Sequence, residues 1–177
     1  MTMERIAVIG SAGSGKTTMS RHLAASLDLP HLELDSVFHQ ENWVPLPADE
    51  MRARVARFVA ADRWVVDGNY SVVSDMIWQR ADTVVWLDLS RLRVMSRLVP
   101  RTLGRGLRRA ELWNGNREEL RNVIRRDPDK NLLLWAWTRH RGLRERYELA
   151  AVGAHHLSVY RLCSPSEVDR FLAEVGR

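Results

Sequence analysis

The sequence predicts a three-layer α/β fold, a five-stranded parallel sheet with helices on both faces. Three observations point to it. Five short apolar, β-branched runs alternate with helical segments along the 177 residues. The first run opens directly onto a glycine-rich loop followed by a helix. No repeat, low-complexity stretch or linker divides the chain, so residues 1–177 are expected to form one domain, long enough to bury a core.

Arg5-Ile-Ala-Val-Ile9 reads as the first buried strand and Thr18 to Leu27 as an amphipathic helix. Between them, Gly10-Ser-Ala-Gly-Ser-Gly-Lys16-Thr17 meets the Walker A pattern G-x-x-x-x-G-K-[ST] at every fixed position. The chemistry explains the residue types. Gly10, Gly13 and Gly15 allow positive φ and close approach to a ligand. The N–H groups of Ser11, Ala12, Ser14 and Thr18 and the helix N-terminus then face phosphate oxygens. Lys16 reaches the β- and γ-phosphates, and the Thr17 hydroxyl holds Mg²⁺. The motif in this strand–loop–helix setting makes ATP and Mg²⁺ the expected cofactors of a P-loop NTPase fold. An ordinary Gly/Ser turn is the alternative.

His31 to Leu34 reads as a second strand ending at Asp35, and Ser36 to Pro47 as irregular. Asp49 is placed as the N-cap of a helix over Glu50–Ala61. Trp64 to Asp67 is strand three, followed by Gly68-Asn69-Tyr70; Ser71–Arg80 is a short helix and Thr83 to Leu87 strand four. From Arg91 the pattern is helical and basic, with Gly104 and Gly106 expected to interrupt it. Leu112 to Asn116 is turn-like, and Glu118–Arg126 is expected to resume as helix. Asn131 is placed as the cap of a long helix from Leu132 to about Leu149. His156 to Leu162 is strand five, and Ser164-Pro165 starts the last helix.

The net charge of +5 is unevenly spread. Residues 1–90 carry 8 basic against 12 acidic side chains, whereas residues 91–146 carry 16 against 6. Of the basic residues only Lys16 and Lys130 are lysine. Arginine's rigid fork suits phosphate, so the basic middle reads either as a lid over phosphates or as a nucleic-acid surface. No apolar run approaches the ~20 residues that span a bilayer. The start of the chain shows no signal-peptide pattern, and Cys163 is the only cysteine, so a cytoplasmic setting without a disulfide is expected.

Several side chains carry candidate chemistry. Asp67, at the end of strand three, fits a Mg²⁺-organising acid alongside Thr17; a turn role ahead of Gly68 is its plainer reading. Asp35 fits a base or anchor for an acceptor hydroxyl, against a plain cap of the next turn. His39 is the weaker partner there. Arg97 and Arg101, four apart on one helix face, fit a clamp on the transferring phosphoryl group. Arg105, Arg108, Arg109, Arg117, Arg125 and Arg126 extend the supply. Asp88, followed by Ser90 and Arg91, reads as structural. Trp43 and Trp113 lie in loops where they suit the wall of an acceptor or adenine pocket.

GSAGSGKTT, Leu34-Asp35 with Trp43-Val-Pro, Val66-Asp-Gly-Asn-Tyr70, Val85-Trp-Leu-Asp88 and Glu111-Leu-Trp-Asn-Gly-Asn-Arg-Glu118 together resemble one bacterial family. Its members are adenylate-kinase-like P-loop proteins often labelled DNA topology modulation protein (FlaR-like). The resemblance covers nearly the whole chain. It implies a nucleoside-monophosphate- or shikimate-kinase-like fold, an acceptor-binding insertion at about 35–62 and an Arg-rich helical lid at about 97–126. It also implies that Arg97-Leu-Val-Pro-Arg101 matches the pair packing on adenine and phosphate, that Asp35 resembles the carboxylate holding acceptor hydroxyls in shikimate-type kinases, and that Asp67-Gly68 resembles the Asp-Gly of adenylate kinases. The chain departs from adenylate kinases after that Asp-Gly, with Asn69-Tyr70-Ser71 in place of Phe-Pro-Arg.

The expected function is therefore transfer of the ATP γ-phosphate to a small-molecule acceptor by Lys16, Asp35, Arg97 and Arg101. The protein is expected as a monomer or homodimer with no membrane partner. The alternative is a nucleic-acid-binding or topology-modulating regulator that uses ATP as a switch.

Overall fold

The computed structural model describes residues 3–118, 120–125, 127 and 131–176. Its elements are β1 (Arg5–Gly10), α1 (Lys16–Leu27), β2 (His31–Glu33), α2 (Leu34–Phe38), α3 (Ala48–Val59), β3 (Trp64–Asp67), α4 (Ser71–Arg80), β4 (Thr83–Leu87), α5 (Arg91–Arg108), α6 (Leu132–Gly153), β5 (Ser158–Leu162) and α7 (Pro165–Val175). Short 3₁₀ turns occupy Glu41–Trp43, Trp113–Gly115 and Leu120–Ile124. The five strands form one parallel sheet in the order β2-β3-β1-β4-β5.

The alternation of side chains along β1 explains the three layers. Ile6 and Val8 face a core built with Met19, Leu23 and Phe171 from α1 and α7. Ala7 and Ile9 face the opposite core, with Met51, Val55, Ile77 and Tyr147 from α3, α4 and α6. Strands covered on both faces need apolar residues at successive positions, and β3 and β4 are buried throughout. Register places Glu33 beside Asp67, Asp67 beside Val8, and Gly10 beside Leu87. The carboxyl edge of the sheet therefore gathers the first loop residue and two carboxylates.

Tertiary packing overrode four local expectations. Strand two ends at Glu33, and Asp35 lies in the first turn of α2, because Leu34 turns inward to 1% exposure. Helix α3 is preceded by Pro47, and Asp49 sits in its first turn without capping it. Gly104 and Gly106 do not interrupt α5, which runs unbroken through Pro100 as well. Val94, Leu98, Thr102 and Gly106 are buried at four-residue spacing, and this packing outweighs the roughly 1 kcal/mol that a helical glycine costs. Glu118 lies before the 3₁₀ turn that replaces the expected helix, and Arg126 lies outside the described residues. Asn131 caps α6 as expected, its Oδ1 accepting from Leu133 and Leu134 N–H. Among the described residues no helix is long and apolar enough to cross a membrane.

Candidate active site

The loop between β1 and α1 turns sharply, with φ of 148°, 83° and 102° at Gly10, Gly13 and Gly15. At Gly10 the requirement is spatial as well: a Cβ there would lie 2.7 Å from both the Leu87 carbonyl oxygen and Ser14 Oγ. Lys16 and Thr17 open α1, so both side chains start at the helix N-terminus beneath the loop. Lys16 Nζ donates to the Ser11 carbonyl at 3.0 Å. Its burial pulls the ammonium pKa down, while Asp35, Asp67 and Glu33 pull it up and Arg101 adds to the lowering. One lysine thus senses three carboxylates from three segments.

Thr17 Oγ1 donates to Glu33 Oε1 at 3.2 Å, and Arg21 pairs with the other Glu33 oxygen at 3.4 Å. Asp67 is 2% exposed. Its Oδ2 lies 3.5 Å from His31 Nε2 and has no hydrogen-bond partner among the described residues. Glu33 is the carboxylate that sequence reasoning missed. A charged residue ending an apolar strand was the available signal, and it was obscured by placing the strand end two residues late.

The stretch after β3 addresses the site residue by residue. Gly68 has φ 135°, and a Cβ there would come within 2.7 Å of Leu34 Cβ. The Asn69 side chain meets both backbone groups of Gly10: its Oδ1 accepts from the Gly10 N–H at 3.4 Å, and its Nδ2 donates to the Gly10 carbonyl. Tyr70 Oη donates to Asp35 Oδ1 at 2.7 Å and lies 3.3 Å from His39 Nε2. Burial, then the neighbouring Asp35 charge, push the Tyr70 pKa up, so the phenol stays protonated and a donor.

Two loops clasp beside Asp35 and Tyr70. His39 pairs with Pro45, and Glu111 with Arg117, each by one antiparallel bridge. Asn42 and Asn114 take the left-handed turn in each loop, at φ 59° and 55°. Asn114 Nδ2 donates to the carbonyls of Ser36 and His39 at 3.1 and 2.5 Å. Buried Asn116 accepts from Trp43 N–H at 2.7 Å and donates to the Gln40 carbonyl at 2.8 Å. Trp43 Nε1 donates to the Arg117 carbonyl at 3.1 Å. The His39 ring stacks on Trp113 at 5.7 Å and meets Trp43 edge-on at 5.1 Å. The tryptophans picked out from two distant loops therefore converge on one histidine.

Burial lowers the His39 pKa, with Asp35 opposing. A folded pKa below the unfolded one means that folding favours the neutral ring. That stabilisation is complete above the ordinary value of about 6.5 and is lost as pH falls through the lower folded value. Between about pH 6.5 and pH 5 the Tm of the native chain is expected to fall more steeply than that of His39→Gln, measured by calorimetry. Parallel slopes would contradict this.

The arginines divide by partner. Arg97 Nη1 donates to the Ser14 carbonyl of the loop at 3.4 Å. Arg101 is exposed along its length, yet the protein around its guanidinium lowers its pKa, Arg105 adds to that, and Glu118, Asp35 and Glu33 oppose it. Arg105 pairs with Glu118 at 3.3 Å, and Arg117 with Glu111 at 3.7 Å. Asp88 is engaged by Arg161 at 2.6 Å and Arg144 at 3.3 Å. The structure thus brings together Gly10 to Thr17, Asp35, Asp67, Arg97 and Arg101, with Glu33, Asn69 and Tyr70 added. Thr18 is exposed on α1, and Arg108 and Arg109 close α5 on its exposed side.

No family model matches the chain, and no curated protein matches it. Solved structures do. Shikimate kinase from Acinetobacter baumannii, in complex with shikimate, superposes with a TM-score of 0.60 at 18% identity, covering 98% of this chain and 91% of that one. Shikimate kinase from Bacteroides thetaiotaomicron gives 0.53 at 15% identity over 98% and 96%. A gluconokinase from Sinorhizobium meliloti 1021 gives 0.52 at 18% identity over 98% and 93%. These neighbours lend no support to the DNA topology modulation label. At such identities the likeness establishes architecture: the chain has the five-stranded parallel P-loop fold of shikimate kinase and gluconokinase.

Proposed function

We propose that this chain is an ATP-dependent phosphotransferase that moves the γ-phosphate of Mg–ATP to a hydroxyl of a small acceptor. The carrying observation is that the Lys16 ammonium lies within electrostatic reach of Glu33, Asp67 and Asp35, three carboxylates with separate attachments. The phosphate loop and Asp35 thus lie near one another at the carboxyl edge of a parallel sheet, the edge where such folds bind ligands. The structural neighbours named for shikimate and gluconate kinases support a hydroxylated acceptor by analogy.

The residues fit Mg²⁺. Thr17 offers a hydroxyl, Glu33 a carboxylate already bonded to it, and Asp67 a buried oxygen with no hydrogen-bond partner among the described residues, 3.5 Å from His31 Nε2. No group of three or more His, Cys, Asp or Glu among the described residues forms a self-sufficient cage. Mg²⁺ in kinase sites is held by one or two carboxylates plus substrate phosphates, and there it neutralises charge on the phosphates. Lys16, which donates to the Ser11 carbonyl, would pair with the β- and γ-phosphates of a bound nucleotide. Arg97 and Arg101 stabilise charge on the transferring group. Tyr70 engages Asp35 Oδ1, leaving Oδ2 to orient the acceptor hydroxyl and take its proton. The acceptor oxygen bonds to the γ-phosphorus as the bridging P–O bond breaks, and ADP leaves.

The test is ADP release from Mg–ATP across nucleoside monophosphates, nucleosides, shikimate-like polyols and sugar acids. One class is expected to stimulate turnover, and Asp35→Asn to reduce the stimulated rate by about 100-fold or more, within the range of a lost general base. No stimulation by any class, with salt-sensitive DNA binding in its place, would favour the nucleic-acid reading of the +10 segment.

A further inference from the structure

We propose that Asn69 and Tyr70 form a strut that sets the distance between the phosphate loop and the acceptor carboxylate, making both positioning residues. The inference rests on the phosphotransfer reading and adds to it two residues that touch neither reacting phosphate nor acceptor. Asn69 grips Gly10 by both of its backbone groups, across 59 positions of sequence. Gly10 is where β1 becomes the loop, so its peptide orientation sets where the following N–H groups point. The next residue, Tyr70, holds Asp35 at 2.7 Å. Adjacent residues in a chain have fixed spacing, since Cα atoms across a trans peptide lie about 3.8 Å apart. Donor loop and acceptor carboxylate are thereby tied to one rigid dipeptide.

Its surroundings keep that dipeptide from drifting. On one side Gly68 follows buried Asp67 and packs against Leu34 so closely that a Cβ has no room. On the other, Tyr70 is the N-cap residue of α4 and its ring lies 4.5 Å from that of Phe38. Arg146 of α6 donates to the Asn69 carbonyl at 3.5 Å. Neither residue type is needed for the turn itself. The side chains are explained by their two targets, and a misplacement of about 1 Å between reacting groups can cost about 100-fold in rate.

The experiment measures Mg–ATP affinity by calorimetry, turnover with the stimulating acceptor at saturating ATP, and Tm, for Asn69→Ala, Tyr70→Phe and the double variant. Each single variant is expected to lower kcat by roughly 10- to 100-fold. Tyr70→Phe is expected to leave Mg–ATP affinity within about twofold, because its target lies on the acceptor side. The double variant is expected to be no slower than the slower single variant, since a strut released at one end is already lost; residues acting as a unit are non-additive. Multiplicative losses in the double variant would overturn the proposal, as would unchanged kcat in either single variant or losses that track Tm alone. A native chain that binds Mg–ATP but responds to no acceptor removes the phosphotransfer reading and the strut with it. A native chain that turns over while the variants match it removes only the strut.

Discussion

Lys16→Ala is expected to reduce acceptor-stimulated ADP release by about 1,000-fold or more, equivalent to about 4 kcal/mol of transition-state stabilisation. The ammonium belongs to the first residue of α1, beneath the loop, and it sits within electrostatic reach of Asp35, Asp67 and Glu33. Burial lowers its pKa, with the three carboxylates opposing. A preorganised charge of this kind stabilises developing charge without reorganising water. Arg97 and Arg101 approach from α5, Arg97 donating to the Ser14 carbonyl at 3.4 Å, so neither starts from the helix N-terminus as Lys16 does. Stopped-time ADP assays under saturating Mg–ATP check the expectation, together with a Tm showing that the variant is folded. A loss smaller than tenfold would contradict the assignment of Lys16.

The second large effect is on folding. Gly68→Ala is expected to destabilise the chain by about 3–5 kcal/mol, summing backbone strain at positive φ and overpacking of a tight contact. The residue has φ 135°, and the new Cβ would meet Leu34 Cβ at 2.7 Å. Leu34 is 1% exposed and has nowhere to retreat. For a domain of this size the Tm should fall by about 10 °C. Gly142→Ala in α6 is the matched control. Nothing lies within 4 Å of its Cβ position and its φ is unremarkable, so alanine is expected to stabilise by up to about 1 kcal/mol. Denaturant midpoints for both variants decide the matter, and equal midpoints would show that the contact at Gly68 relaxes freely.

Much of the fold was legible because its signals are local. The strands ending at Asp67 and Leu87 are short β-branched runs, and the loop from Gly10 to Thr17 is specified by glycine spacing and a helix start. The cap at Asn131 was legible for the same reason, since its side chain satisfies N–H groups two and three residues away. The unbroken α5 was not legible. Its glycines and proline argue for a break, and only burial of Val94, Leu98 and Gly106 decides otherwise. The Asp35 placement shows the intermediate case. The sequence pattern ends strand two at this residue, but its element is set by Leu34 packing inward, which no local pattern reveals.

The candidate site divides along the same line. By itself the sequence determined the glycine-rich loop, the order of five strands and helices along the chain, and a pool of candidate acids and arginines. Those follow from period, spacing and composition within a few residues. Tertiary structure alone decided which members of the pool meet. It joined Glu33 to Thr17, Asn69 to Gly10, Tyr70 to Asp35, and Asn116 to Trp43. Each of these contacts spans 16 to 73 positions. The physical reason is that a side-chain hydrogen bond needs its partners within about 3 Å, and strand register together with loop packing sets such distances between segments that carry no mark of one another in the chain.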